Sequence, residues 1–566
     1  MLTEWGKSLD REHPLPEYPR PQLVRESYLN LNGRWQYAIT SSDTPPERWD
    51  GFIIVPFSPE TSLSGVERSL SPREYLWYRR PLTLPEGFNV GRVLLHFGAV
   101  DQEATVYLDG REVCSHVGGY LPFDADISDA LAAENELIVR VRDFSDKSFH
   151  TRGKQKTKRG GIWYTPQSGI WQTVWCESVP ESHIKNLRLT PRLDEGAVDV
   201  FVEGEGEVTA RIGEDEYAFP AGVTARLKLS DTRPWSPEEP YLHDISLNLG
   251  DDCVTSYFAL RKFSVGTDKL GVKRLFLNNE PYFHNGLLDQ GYWPDGLYTA
   301  PSDAALIFDI RTAKDMGFNL LRKHIKVEPL RWYYHCDRLG MLVWQDMPCG
   351  GGRYSPLTVS TPLFTGAHMK DSAYGRFGRS DAEGREEFTA ELRELVAHLY
   401  NCPCIAMWVP FNEGWGQFDA AENVAAILEL DDSRTIDHAS GWHDQGIGEI
   451  KSLHVYFDEY AYKPDKLGRC VVLSEFGGYS HAVAGHAYSE KPFGYKKFSS
   501  PESLRQGLME LYDGQIRPAV KAGLAACVYT QLSDVEDEQN GLITYDRAVI
   551  KLPPAAVNSL SRLKLI

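Results

Sequence analysis

The chain has 566 residues, of which 42% are hydrophobic and 12% aromatic, and its formal charge is −19. A single core rarely grows past about 250–300 residues, so several structural units are expected, and the apolar content excludes a disordered chain. The negative charge repels nucleic-acid backbones and acidic membrane surfaces, so we predict neither nucleic acid nor a membrane as a partner.

Residues 1–182 are predicted to be rich in short strands, among them 93–97, 104–108 and 137–142. The dipeptide Asp109-Gly110 predicts a hairpin turn, because glycine takes positive φ without steric cost. Long helical patterns are not seen in this part of the sequence. The pattern therefore favours a two-sheet sandwich.

Residues 183–265 are a second strand-rich block, in which 198–202 and 244–249 alternate between apolar and polar side chains. A length of about 80 residues suits a small immunoglobulin-like sandwich. The proline-rich segment 234–240 is expected to form a rigid loop within it.

From residue 266 onward, strand and helix patterns alternate. Ser302 is predicted to cap a helix that ends at Gly317, and a second helix is predicted from near Pro329 to Gly340. The predicted strands lie near residues 282–285, 318–322, 341–344, 405–409, 434–437, 452–456, 471–473 and 525–529.

These repeated β–α units over about 300 residues predict a (β/α)8 TIM barrel. An open doubly wound sheet is the alternative, which the lack of a Gly-x-Gly-x-x-Gly turn disfavours. The long segment 350–381, rich in Gly and Ser and without periodicity, is predicted to be a loop over the barrel mouth.

Two glutamates follow predicted strands of this barrel. Glu413 follows the fourth strand and Glu475 follows the seventh, and active sites of such barrels lie at the carboxyl ends of the strands. A pair of carboxylates is the minimum requirement for cleaving a glycosidic bond. The general acid of the pair needs a raised pKa, to which the apolar neighbours Trp408, Phe411 and Trp415 are expected to contribute. The alternatives are a helix first-turn carboxylate for Glu413 and an ion pair for Glu475.

The nine cysteines are interpreted as free thiols, because Cys402 and Cys404 lack the C-x-x-C spacing of a zinc or redox site. No metal and no cofactor are predicted. The N-terminus shows no basic head followed by an apolar run, and no apolar run of 18 residues is seen. We therefore predict a cytoplasmic protein, with the alternative that a signal peptide has been removed.

Several motifs resemble those of glycoside hydrolase family 2, the family of β-galactosidases, β-glucuronidases and β-mannosidases. They are Trp77-Tyr-Arg-Arg80, Val106-Tyr-Leu-Asp-Gly110, Gly118-Gly-Tyr-Leu-Pro-Phe-Asp124, Ser168-Gly-Ile-Trp171, Trp235-Ser-Pro, Arg261-Lys-Phe, Asn319-Leu-Leu-Arg322, Asn412-Glu413 and Ser474-Glu-Phe-Gly477. The resemblance covers nearly the whole chain. It implies a sugar-binding jelly roll over 1–182, an immunoglobulin-like sandwich over 183–265 and a catalytic barrel over 266–566.

The resemblance also implies roles for single residues. Glu413 would be the acid/base and Glu475 the nucleophile. Asn412 would hydrogen-bond the sugar 2-hydroxyl, Arg322 would support the nucleophile, and Tyr456 would lie beside it. A structural ion pair for Arg322 and interface packing for Tyr456 are the alternatives.

Further residues are candidates for substrate binding. Trp442 and His438 end or follow the fifth strand, and Trp415 follows Glu413. His324 and Lys326 follow the second strand and, together with Lys323, are candidates for holding an acidic sugar. A structural histidine is the alternative for His438.

The glycone is not determined by the resemblance. The Asn-x-Lys that β-glucuronidases place before an Asp-Arg is missing from segment 538–547, which argues against a glucuronide. Trp163 stands where large β-galactosidases have an aspartate, and Thr530 replaces an expected Trp. Segments 344–346 and 531–534 resemble β-mannosidases of this family more than its other members.

We predict a retaining exo-β-glycosidase, with a β-galactoside as first choice and β-mannosidase, β-glucuronidase or α-L-arabinosidase specificity as alternatives. A carbohydrate-binding protein without catalysis is a rival hypothesis. The two β-rich units are also candidates for homodimer or homotetramer contacts.

Overall fold

The computed structural model describes residues 1–490 and 493–552, so the predicted barrel residues 553–566 lie outside the described residues. The first region begins with helix α1 (Glu4–Lys7). Its strands are β1 (Leu29–Asn30), β2 (Gly33–Thr40), β3 (Gly51–Val55), β4 (Tyr75–Leu82), β5 (Arg92–Phe97), β6 (Val100–Asp101), β7 (Glu103–Leu108), β8 (Arg111–Val117), β9 (Phe123–Asp126), β10 (Asn135–Arg142), β11 (Gly169–Ile170) and β12 (Val174–Val179).

These strands form a four-stranded sheet, β1-β12-β5-β9, and a six-stranded sheet, β3-β2-β4-β10-β7-β8. One buried cluster unites apolar side chains of both sheets, including Trp35 and Val139 from the larger sheet and Leu95 from the smaller. The predicted turn at Asp109-Gly110 joins β7 to β8, with φ values of 50° and 78°. A long connection, residues 143–168, joins β10 to β11.

The second region carries β13 (Asn186–Arg192), β14 (Ala197–Glu203), β15 (Glu207–Ile212), β16 (Asp215–Pro220), β17 (Ala225–Lys228), β18 (His243–Leu249), β19 (Asp252–Phe258), β20 (Phe263–Thr267), β21 (Lys273–Leu277) and β22 (Glu280–Pro281). They form the antiparallel sheets β13-β14-β17, β16-β15-β18-β19 and β20-β21-β22. Side chains of β15 alternate between exposed and buried, since one face packs on the core and the other meets water.

The remaining strands are β23 (His284–Asp289), β24 (Leu320–Lys323), β25 (Leu342–Asp346), β26 (Ile405–Val409), β27 (Thr435–Ile436), β28 (Ile450–Val455), β29 (Cys470–Gly477), β30 (Tyr479–Ser480), β31 (Lys496–Lys497) and β32 (Ala526–Thr530). The helices are α2 (Asp303–Asp315), α3 (Leu330–Leu339), α4 (Pro356–Thr365), α5 (Ala382–Leu399), α6 (Ala420–Leu428), α7 (Pro501–Leu511) and α8 (Arg517–Ala522). Ser302 caps α2 and Gly340 ends α3, as predicted.

Eight parallel strands form one sheet in the order β27-β26-β25-β24-β23-β32-β29-β28. Each predicted barrel strand corresponds to one of them, and the sheet is nearly closed, with its seam between β27 and β28. The barrel prediction is confirmed, and the doubly wound alternative is wrong. None of the helices in the described part of the chain is long and apolar enough to cross a lipid bilayer.

The segment 350–381 differs from its prediction, because it contains helix α4. Ser355 caps this helix and Pro356 occupies its first turn. Its apolar residues Leu357 and Phe364 are 83% and 78% exposed. An amphipathic pattern with a polar outer face is therefore missing, which explains why periodicity did not reveal the helix.

Candidate active site

The backbone brings both glutamates to the carboxyl ends of the barrel strands. Between β28 and β29 the register shifts after Leu453, so that His454 lies opposite Glu475. A bulge of this kind redirects a side chain. Glu475 lies within β29, which continues to Gly477, rather than following its strand as predicted.

Glu413 lies beyond the end of β26, and its backbone N–H donates a hydrogen bond to the Ser440 carbonyl at 2.8 Å. Its φ of 53° is in the left-handed region, which a non-glycine residue adopts at a cost that surrounding contacts must offset. The connection after β26 is thus held to the connection after β27, and this fixes where the Glu413 carboxylate points.

Both carboxylates approach the same ring nitrogen of His454. Its Nδ1 lies 2.8 Å from Glu413 Oε1 and 3.6 Å from Glu475 Oε2. One oxygen of each carboxylate and the imidazole nitrogen lie within 4.8 Å of one another. Glu413 and Glu475 are 7% and 3% exposed. Gly441 is required beside this ring, since a Cβ there would come within 2.4 Å of His454.

Both oxygens of Glu475 accept hydrogen bonds. Arg322 Nη1 donates to Oε1 at 3.1 Å, and Tyr456 donates to Oε2 at 2.5 Å. Thr530 Oγ1 lies 2.9 Å from the same tyrosine hydroxyl, and the Tyr495 ring stacks on Tyr456 at 3.9 Å. These contacts fix the orientation of the Glu475 carboxylate.

Arg322 is fully buried and donates hydrogen bonds to four residues, one of them through the Ser474 carbonyl at 3.1 Å. Besides Glu475, it makes a bidentate pair with Asp346 at 3.0 Å and donates to Asn412 Oδ1 at 2.9 Å. The amide Nδ2 of Asn412 has no partner among the described residues, although it is buried. The residue that holds the nucleophile candidate thus also holds Asn412 by its amide oxygen and leaves the amide donor free.

The surroundings of Glu413, the acid/base candidate, shift its pKa in opposite directions. Burial raises the pKa of Glu413, but the hydrogen bond and charge of His454, with Lys154 and Trp415, hold that pKa below its ordinary value. Trp415 Nε1 donates to Glu413 Oε2 at 3.1 Å. The expectation that Trp415 raises this pKa is therefore wrong, because the indole contributes a hydrogen bond to the charged form.

The other two aromatic neighbours face away from the carboxylates. Trp408 donates to Asp431 at 2.8 Å and Phe411 stacks on Phe388 at 5.2 Å. They contribute burial behind the strand rather than contact with the pair.

The remaining predicted substrate-binding residues divide into two groups. His324 and Trp442 border the site. His324 Nδ1 lies 2.7 Å from Asp346, and burial with the charges of Lys154 and Arg322 holds its pKa well below the ordinary value. The Trp442 ring lies 6.3 Å from that of His454.

His438 and Lys326 are not brought to the carboxylate pair by any recorded contact. His438 Nε2 faces Asp444 at 3.1 Å. Lys326 donates to the carbonyls of Gly291 and Tyr298 and to Glu328, at 2.7–2.8 Å. Its three donors are occupied, which contradicts its prediction as a free substrate contact.

Sequence reasoning missed His454 and Asp346. His454 lies on β28 and Tyr456 directly follows that strand. Side chains two apart on extended backbone share a face, so this spacing was the available signal. Asp346 ends β25, next to Arg322 on β24. Within the described residues, Glu413, His454 and Glu475 are the group whose donors could hold a metal ion, but Arg322 already neutralises Glu475 there.

A nearly closed (β/α)8 barrel with two facing carboxylates at this edge has the arrangement of a glycoside hydrolase. Family profiles support that class in both halves of the chain. The sugar binding domain of glycosyl hydrolases family 2 matches residues 68–177, and the TIM barrel domain of the same family matches residues 275–477. The chain belongs to glycoside hydrolase family 2.

Individual relatives are distant. A β-galactosidase of Thermoanaerobacter pseudethanolicus is 23% identical over 63% of this chain and 47% of its own length. A β-glucuronidase of Streptococcus agalactiae is 24% identical over 70% of this chain and 68% of its own length. The solved β-D-glucuronidase of Dictyoglomus thermophilum superposes with a TM-score of 0.73 at 18% identity, covering 96% of this chain and 98% of that one. This chain thus spans about half of the first relative and two thirds of the second.

Proposed function

We propose that this protein is a retaining exo-β-glycosidase that uses a double displacement. The observation that carries the proposal is the approach of the Glu413 and Glu475 oxygens to within 4.8 Å. Retaining enzymes hold their carboxyl groups about 5–5.5 Å apart, whereas inverting enzymes need about 6.5–9.5 Å to admit a water.

In the first step Glu475 attacks the anomeric carbon. A bond forms between that carbon and a Glu475 oxygen, and the bond to the leaving-group oxygen breaks as Glu413 donates its proton. In the second step Glu413 takes a proton from water, the water oxygen bonds to the anomeric carbon, and Glu475 is released. Arg322 and Tyr456 keep Glu475 oriented, and the free amide of Asn412 suits a sugar hydroxyl.

The leaving group has space beside Trp415. A cleft of 1160 Å³ opens there, and Trp163 and Tyr354 form part of its wall. Trp415 packs edge-on against both rings at 5.3 Å. A β-galactoside, the first choice from the sequence, is not favoured over a β-glucuronide, since the relatives bear both names. The cytoplasmic location and the homodimer or homotetramer stay predictions.

The test uses aryl β-glycosides and two variants. We expect Glu475→Ala and Glu413→Gln to lower kcat/KM by roughly 10²–10⁴-fold while thermal unfolding is unchanged. Glu429→Gln, a control on an exposed glutamate, should behave as the unmodified protein. Near-normal turnover in either active-site variant contradicts the assignment, as does initial release of the sugar as the α-anomer in NMR.

A further inference from the structure

The connection between β10 and β11 crosses from the first region to the mouth of the barrel. Arg152 Nη1 donates to the Gly351 carbonyl at 2.6 Å, in the segment after β25. Tyr164 donates to Glu538, in the segment after β32. The residues between these two anchors therefore lie across the carboxyl ends of the barrel strands.

Lys154 lies in this span and is buried, with 7% of its surface exposed. Gly153, just before it, packs so tightly that an added Cβ would lie 1.9 Å from Tyr298 Oη and 3.2 Å from the Ile325 carbonyl. Ile325 directly follows His324, so the backbone at Lys154 runs beside the end of β24. The Lys154 carbonyl accepts from the Tyr164 N–H at 2.8 Å, which fixes the other side.

The ammonium of Lys154 has no hydrogen-bond or ion-pair partner among residues 1–490 and 493–552. Its charge nevertheless acts on groups of the site, lowering the pKa of Glu413 and that of His324. The other buried lysines near the second strand are satisfied, since Lys323 donates to Asp289 and Glu328 at 2.6 and 2.8 Å. An unpaired buried ammonium is costly unless an anion joins it.

Resting on the proposed function, we propose that Lys154 binds the carboxylate of a hexuronic acid in the glycone pocket. The sugar carboxylate supplies the negative charge that no described residue places against the Lys154 ammonium. His324 is neutral and donates its Nδ1 proton to Asp346, so its buried Nε2, which has no partner in the described chain, accepts a hydroxyl of the same sugar. The clamp expected at Lys323 and Lys326 is thus replaced by a lysine from a different region of the chain.

The test compares aryl β-glucuronide and β-galacturonide with aryl β-glucoside and β-galactoside, on the full chain. We expect one of the two uronides to be the best substrate. Lys154→Met should lower kcat/KM for that uronide by about 10²–10³-fold, mostly through KM, and should change kcat/KM for the neutral sugars by at least about tenfold less. Lys154→Arg should retain part of the uronide activity.

Lys158→Met is the matched control, because Lys158 is exposed in the same connection; it should leave all rates unchanged. Calorimetry of free glucuronate and galacturonate with Glu475→Ala, with and without Lys154→Met, gives a readout independent of turnover. Neutral glycosides cleaved in preference to both uronides would overturn the assignment of Lys154 and leave the proposed function intact. A chain that cleaves no aryl glycoside would overturn the proposed function itself. Equal losses on acidic and neutral sugars in Lys154→Met would mean a structural role and also overturn the inference.

Discussion

His454 is the residue that contacts both carboxylates. Its Nδ1 is 2.8 Å from Glu413 and 3.6 Å from Glu475, and its hydrogen bond to Glu413 is the largest of the influences that lower the pKa of that carboxyl. The surroundings of Glu413 therefore favour its ionised form, although the mechanism requires the protonated form. Removal of His454 should raise the pKa of Glu413 and so favour the protonated form.

We expect His454→Asn to move the alkaline limb of the kcat/KM profile to higher pH. The pKa of Glu413 is depressed by the imidazole, so losing the imidazole raises that pKa, and the protonated acid persists further into the alkaline range. Trp415→Phe removes a neutral donor to the other oxygen and should move the limb in the same direction by less. The measurement is kcat/KM against pH with an aryl glycoside, because kcat/KM reports the pKa values of the free enzyme. An unchanged or acid-shifted limb in His454→Asn contradicts this account.

The sequence placed a site residue correctly where that residue belongs to a barrel strand or directly follows one. Arg322, Tyr456 and Asn412 could be placed near the glutamates because each belongs to a barrel strand or follows one. Lys154 could not, because its position depends on a connection that leaves a different sheet and docks on the barrel by contacts between distant residues. The occupied donors of Lys326 depend equally on partners that are not adjacent in sequence.

At the scale of elements, β27 is the weakest part of the barrel. It contains only Thr435 and Ile436, and it pairs with β26 but not with β28. Arg434, directly before it, compensates for this. The guanidinium is fully buried, pairs with Asp431 at 2.7 Å, and donates to the carbonyls of residues 400, 402 and 405 at 2.7–2.9 Å.

We expect Arg434→Met to lower the free energy of unfolding by about 3–5 kcal/mol, because it leaves the Asp431 charge buried without its ion-pair partner and removes a donor from each of three carbonyls. Arg393→Met, which breaks an exposed pair with Glu429, should cost no more than about 1 kcal/mol. Urea unfolding followed by tryptophan fluorescence measures both. Equal effects of the two substitutions would mean that Arg434 does not support the seam.

Helices and strands were predicted correctly where the sequence has a clear hydrophobic pattern. The eight barrel strands are short apolar runs, and Ser302 and Gly340 mark helix ends whose chemistry is local. Helix α4 was missed because two of its apolar residues, Leu357 and Phe364, face outward. The bulge beside Glu475 was also missed, since a register shift depends on the neighbouring strand and leaves no local pattern.

At the scale of the whole molecule, a buried ion network joins the N-terminal segment to both β-rich regions. Arg25 pairs with Glu177 on β12 at 3.0 Å and with Asp252 on β19 at 2.8 Å. Arg20 pairs with Glu177 at 2.8 Å. Burial opposes the charge on Glu177, but these arginines and His96 lower its pKa to about 2.

This network should make stability depend on acid pH. The folded-state pKa of Glu177 is depressed, so its contribution is fully present above the unfolded value of 4.5 and is lost as the pH falls toward about 2. We expect the free energy of unfolding to fall over that window. In Glu177→Gln the fall should be smaller, and an identical pH dependence in both proteins would remove Glu177 from the explanation.

The central claim is that Glu475 forms a bond to the sugar while Glu413 handles the proton. The most direct test is to incubate the enzyme with an activated 2-deoxy-2-fluoro derivative of the glycone that it cleaves best, digest it, and sequence the labelled peptide by mass spectrometry. We predict one fluoroglycosyl group, attached to Glu475. Label on Glu413, or turnover of this derivative without any covalent species, would contradict the account.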